Sequence, residues 1–80
     1  MTYVYIIQSI NVSDQVYIGW TTHLRERLAS HNRGKSTHTS KIRPWKIAFY
    51  AAFNSKEKAI QFERYLKSGS GAAFRRRRLL

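Results

Sequence analysis

Five side chains in this sequence have types and spacings suited to proton transfer and ion binding at one place: Tyr5, Tyr17, Arg27, His31 and Glu63. Residues 2–8 and 15–20 read as two strands that can pair as a hairpin. The two-residue alternation of a strand then sets Tyr3, Tyr5 and Ile7 on one face of the first, and Tyr17 and Gly19 on one face of the second. Two phenols meet there beside a glycine, which admits either an unusual backbone angle or the close approach of another group. Tyrosine is also a favoured strand residue with an apolar body and a wet tip, so packing alone accounts for either phenol taken singly.

The next element adds cations on the same side. Thr21-Thr22 is a helix-start signal, and over residues 22–32 Leu24 and Leu28 stand four apart and define one helix face. At about 100° per residue, Arg27 lies beside Leu24 and His31 almost above it, while Glu26 points toward solvent. Two readings stay open for this pair. Either they are aimed into a site, or Arg27 snorkels from the stripe edge and His31 favours the negative pole at the helix end.

Residues 55–68 repeat the pattern with the opposite charge. Asn54 or Ser55 supplies the cap, Ala59, Phe62 and Leu66 mark the buried stripe, and Glu63 falls between Ala59 and Leu66 on the helical projection. Glu57 faces outward in the first turn, where an acid suits the helix dipole. The chain has only four carboxylates, Asp14, Glu26, Glu57 and Glu63, and Glu63 alone is placed where it must be desolvated. Such a group is costly unless paired or bound to a metal. An ion pair with Arg27 or Lys67 and a metal site are both compatible with its position.

Taken together, Tyr3-Val4-Tyr5, Tyr17-Ile18-Gly19, the stretch from Leu24 to Leu28, His31-Asn32 and the stretch from Phe62 to Gly69 resemble the GIY-YIG nuclease superfamily, in particular its small, single-domain bacterial branch. The resemblance implies an α+β fold: a small three-stranded antiparallel sheet flanked by helices, GIY-YIG endonuclease-like. It also implies a divalent-metal-dependent endonuclease that hydrolyses phosphodiester bonds, with Mg2+ or Mn2+ as cofactor.

Each role follows from a matching position. Tyr5 corresponds to the tyrosine of the first half-motif and Tyr17 to that of the second. Arg27 matches the first-helix arginine, His31 a histidine seen in several branches, and Glu63 the metal-binding glutamate. Phosphodiester hydrolysis needs an activated water and compensation of phosphoryl charge, and magnesium is content with one or two protein carboxylates. Tyr17 would act as general base, Arg27 would clamp the phosphate, and Tyr5 would position water or phosphate by its hydroxyl. A tyrosine pKa near 10 is an obstacle that nearby cations relieve, or that His31 relieves by accepting a proton from Tyr17; the sequence leaves both routes open. The chain departs from the family pattern at Tyr3, where the motif has glycine, at Trp20 after Gly19, and in having no asparagine after Asn54.

The rest of the chain sets the context. One domain is expected over residues 1–80, with 71–80 a basic terminal segment that forms a short helix. Without cysteine there is neither a disulfide framework nor a thiolate metal site, and the start of the chain lacks the pattern of a signal peptide; the expected location is cytoplasmic. No apolar run approaches the roughly 20 residues that cross a bilayer. Residues 33–44 read as a mobile basic loop, Trp45–Phe53 as a third strand, and Gly69 as the stop of the second helix. His38 has no metal-ligand spacing with His23 or His31.

The formal net charge of +11 points to nucleic acid as partner, with DNA the expected form and with no membrane and no obligate protein partner expected. Arg25, Lys35, Lys41, Arg43, Lys67, Arg75, Arg76, Arg77 and Arg78 are the expected contacts, the last four as a phosphate-contacting tail. Tyr3, Trp20, Trp45 and Tyr50 are available to stack on unpaired bases if exposed. Two functions fit: an endonuclease of low sequence specificity, since so short a chain leaves no room for a separate reading domain, or a non-catalytic nucleic-acid-binding protein on the same fold. In either case affinity should fall with salt, with a log–log slope of about −0.7 per contacted phosphate on single strands and about −0.9 on duplex. Fluorescence anisotropy across a salt series measures that slope.

Overall fold

The computed structural model describes residues 1–35 and 39–79. Its centre is β1 (Thr2–Ser9), flanked by β2 (Val16–Thr21) and β3 (Trp45–Phe53) in a three-stranded antiparallel sheet of order β2-β1-β3. The hairpin register opposes Tyr5 to Gly19 and Ile7 to Tyr17, as the alternation requires. Val4, Ile6 and Ile7 are fully buried because a central strand is covered on both faces.

Alternation splits the core in two. On one face Tyr5, Ile7 and Trp45 pack with Tyr17, Ile47 and the apolar stripe of α1 (Leu24–Asn32), namely Leu24 and Leu28. On the other, Val4, Ile6 and Ile18 pack with Ala59, Phe62 and Leu66 of α2 (Lys56–Lys67). The pairing of β1 with β3 shifts register between Ile6 and Ile7, a bulge that lets β3 serve both clusters, with Ile47 in one and Phe49 in the other.

Helix boundaries follow side-chain capping, with two corrections to the sequence reading. Ser55 caps α2 by accepting the Lys58 amide, as expected. At α1, however, the N-cap is His23 with no side-chain cap bond, and the threonine signal is spent one step earlier: Thr21 Oγ1 accepts the His23 amide at 3.0 Å. At the other end of α2, the stop is Ser68, not Gly69. Ser68 turns extended (ψ 169°), and its hydroxyl accepts the Gly71 amide to start α3 (Gly69–Phe74).

The terminal segment, expected as a short basic helix contacting phosphates, is helical and docked. α3 continues into a π-turn (Arg75–Leu79), and Phe74 and Leu79 pack on the α2-side core. Arg75 Nε donates to the Leu66 carbonyl at 3.0 Å, satisfying one of the orphan acceptors at the end of α2. Arg76, Arg77 and Arg78 remain exposed. The segment therefore carries packing contacts as well as charge. Gly71 makes this docking possible: it is buried against the last turn of α2, and a Cβ there would overlap the Tyr65 carbonyl.

The loop before β3 is likewise pinned. Thr39 is buried, its carbonyl accepts Trp45 Nε1–H at 2.8 Å, and a single 3-10 turn (Ser40–Ile42) sets Ile42 into the α1-side core. Ser9 Oγ donates to the Ile42 carbonyl at 2.7 Å, and Asn32 exchanges two hydrogen bonds with the Trp45 backbone. Residues 39–44 are thus a fixed strap against the sheet; His38 lies outside the described residues. Gly71→Ala should cost about 1–3 kcal/mol through overpacking, a fall in Tm of several degrees in a thermal melt.

Candidate active site

Tyr5 lies across Gly19, and the reason for glycine in β2 is direct: a Cβ there would sit 2.6 Å from the Tyr5 hydroxyl oxygen. That hydroxyl, buried under α1, accepts Arg27 Nε–H at 3.3 Å and shares a hydrogen bond with His31 Nε2 at 3.1 Å. His31 Nδ1 in turn pairs with Thr39 Oγ1 at 2.8 Å. His31 has no accessible surface, yet both of its nitrogens are satisfied.

Protonation states follow from this chain of contacts. Burial raises the Tyr5 pKa above the ordinary 10, outweighing the hydrogen bond from Arg27, so the phenol keeps its proton. The Arg27 pKa is raised above the ordinary guanidinium value, chiefly by its hydrogen bond to Tyr5, with Tyr17 adding to the shift. Burial, and then the charge of Arg27, lower His31 below 6.5. A neutral imidazole that accepts the Tyr5 proton bond at Nε2 and donates from Nδ1 to Thr39 satisfies every partner. Arg27 is therefore oriented by a neutral relay anchored in the strap.

Two expected roles change with this geometry. Tyr5, expected to position water or phosphate, has its hydroxyl between two protein groups, Arg27 and His31. His31 is hydrogen-bonded to Tyr5, and Tyr17 meets it only ring to ring, with centroids 4.9 Å apart; a proton route from Tyr17 to His31 has no hydrogen bond to follow. Thr39, which holds the far side of His31, was missed. A buried threonine within a Ser/Thr-rich run carries no signal that separates it from its neighbours.

Glu63 approaches from the other face of the sheet. Its side chain is only 12% exposed, and Oε2 pairs with Lys67 Nζ at 2.8 Å, one turn further along α2. The edge strand β2 joins the two sides, because Val16 belongs to the α2-side cluster and Tyr17 to the α1-side cluster. Lys67 lines two grooves that meet at Tyr17. One, of about 380 Å³, runs to Thr39 and Ile42, and the other, of about 270 Å³, runs to Ile18 and Arg75. The Glu63 charge also reaches Tyr5, where it is the smallest contribution to the raised pKa.

A lone, mostly shielded carboxylate whose lysine partner lines two open grooves fits magnesium or manganese, which take hard oxygen donors and retain water in most positions. No group of three His, Cys, Asp or Glu able to hold a metal occurs among the described residues. Of the expected aromatic platforms, Trp45 is buried at 3% exposure and cannot stack on a base. Tyr50 is open at 55%, and with Tyr3 and Arg25 it lines a further groove of about 400 Å³ at the start of α1. Trp20 carries Lys56 Nζ over its ring at 5.1 Å.

The architecture is a small α+β fold, with a tyrosine pair against an arginine-bearing helix on one face of the sheet and a carboxylate-bearing helix on the other. The GIY-YIG catalytic domain profile matches residues 1–77, and the chain belongs to the GIY-YIG family, a nuclease superfamily whose members generally use divalent metals. It is similar to UPF0213 proteins of Streptococcus pyogenes, among them those of serotypes M3 and M1, at 36% identity over 66 residues, spanning 81% of this chain and 70% of theirs. It also resembles the solution NMR structure of the UPF0213 protein BH0048 from Bacillus halodurans, with a TM-score of 0.53 and 31% identity over 92% of this chain and 81% of that one. No helix among the described residues is long and apolar enough to cross a membrane.

The buried neutral histidine gives a pH signature. Its folded pKa lies below the unfolded 6.5, so below 6.5 the unfolded chain binds more protons and stability falls as pH drops toward the folded value. Thermal melts between pH 7 and pH 5 should show this loss in the wild type, and His31→Gln should flatten it.

Proposed function

We propose that the chain is a divalent-metal-dependent endonuclease that hydrolyses phosphodiester bonds in DNA with low sequence specificity, in the cytoplasm, where DNA and magnesium are both present. The observation that carries this reading is the Arg27–Tyr5–His31–Thr39 chain. A guanidinium held by a buried relay is pre-organised for an anion, which a purely packing role would not need.

Arg27 binds the phosphate through two parallel N–H bonds and stabilises the charge that builds on it. Tyr17, half-buried where the two grooves meet, is the group placed to take a proton from the attacking water. Glu63 would hold the metal. Bound there, Mg2+ or Mn2+ would supply Lewis-acid polarisation of the phosphate and a lower pKa for the water. Low specificity follows from the distribution of cations. Arg25, Lys35, Lys41, Arg43, Lys67, Arg76, Arg77 and Arg78 are exposed on several elements, which suits contact with phosphates along a backbone and not the reading of base edges.

Labelled single-stranded, duplex and branched DNA incubated with purified protein and magnesium should be cut. Glu63→Gln should abolish cleavage while leaving fold and DNA affinity nearly intact. Arg27→Ala should lower turnover about 10²-fold with a much smaller loss of binding. Tight DNA binding with no cleavage of any substrate in magnesium or manganese would instead identify a non-catalytic binding protein on this fold.

A further inference from the structure

The carboxylate that would hold a metal is already occupied. Lys67 Nζ sits 2.8 Å from Glu63 Oε2, and the two side chains differ sharply in environment: Glu63 is 12% exposed and Lys67 52%. A shielded carboxylate needs a cation, and a glutamate followed four residues later by lysine is the favourable helical order for supplying one. A second cation cannot join Glu63 while the first remains without like-charge repulsion at close range. Lysine suits a reversible partnership, since its ammonium is a compact charge on a flexible stem and lacks the fixed fork by which arginine grips a carboxylate. Lys67 also has somewhere to go. It lines both grooves that meet at Tyr17, and Arg75 lies in the second, so a phosphate there would find two cations beside it.

From these contacts we propose that Lys67 is an exchangeable cation of the site. In the free protein it neutralises Glu63; when a divalent ion loads, it releases the carboxylate and pairs with the phosphate of the bound nucleic acid. The inference rests on the reading of Glu63 as the metal ligand. It adds that metal affinity in the free protein is set partly by the grip of Lys67. Lys67 acts on the metal through Glu63, so it is a positioning residue for metal loading and a contact for the substrate.

The test is Mn2+ binding followed by electron paramagnetic resonance, without nucleic acid, in the wild type and in Lys67→Met, Lys67→Arg and Glu63→Gln. Removing the competing charge should tighten Mn2+ binding about two- to fivefold, the range set by an ion pair of this kind. Lys67→Arg, which can grip the carboxylate with two bonds, should weaken it. Lys67→Met should also weaken DNA binding and reduce the salt slope by about one phosphate. Loss of Mn2+ binding in Glu63→Gln with unchanged or weaker binding in Lys67→Met would overturn the exchange and leave the metal site standing. Wild-type Mn2+ binding in Glu63→Gln would overturn both.

Discussion

The Tyr5 hydroxyl is the point on which the site depends. It lies on the central strand, under α1, with no route to water, and must find its hydrogen bonds within the protein. That requirement reaches outward in three directions. It demands glycine at position 19, because any Cβ would displace the phenol. It ties the register of β1 against β2 to the rotation of α1, which must present both Arg27 and His31. Through His31 it reaches Thr39, whose backbone is fixed by the Trp45 indole, so the strap before β3 takes part in orienting an arginine on another element.

The electrostatics of this arrangement are divided between the faces of the sheet. On the α1 side a cation is surrounded by neutral groups: burial keeps Tyr5 protonated, and burial with the Arg27 charge keeps His31 uncharged. Arg27 therefore retains its full charge for an anion. On the α2 side the single inward carboxylate is neutralised by a lysine half in water. The two meet only at the β2 edge. A negatively charged strand lying along that edge would find cations on both flanks and one carboxylate, whose repulsion a divalent ion would reverse.

Much of this was legible from residue order. Strand alternation and the position of Gly19 gave the face that Tyr5 shares with Tyr17 and Gly19, and the spacing of Leu24, Arg27, Leu28 and His31 gave the inward face of α1. Glu63 was found because it borders the apolar stripe of Ala59, Phe62 and Leu66 on the helical projection. What sequence could not supply was the partner of each polar group. Tyr5 and Tyr17 both lie within ring contact of His31, and only distances separate the hydrogen-bonded one from the one that meets it through its ring alone. Thr39 and Ser9 are short polar residues whose burial depends on contacts far along the chain. The docked terminal segment was hidden by its charge, since Phe74 and Leu79 hold it while Arg76, Arg77 and Arg78 dominate its composition.

The central claim is that the Tyr5 hydroxyl works by holding Arg27, not by touching substrate. Tyr5→Phe keeps the ring over Gly19 and removes only the hydroxyl, so single-turnover cleavage and DNA affinity measured on this variant test the claim most directly. The account predicts a fall in the cleavage rate of about 10²-fold, from loss of the guanidinium's alignment, with DNA affinity close to wild type. A Tyr5→Phe protein that folds and cleaves at the wild-type rate would contradict it.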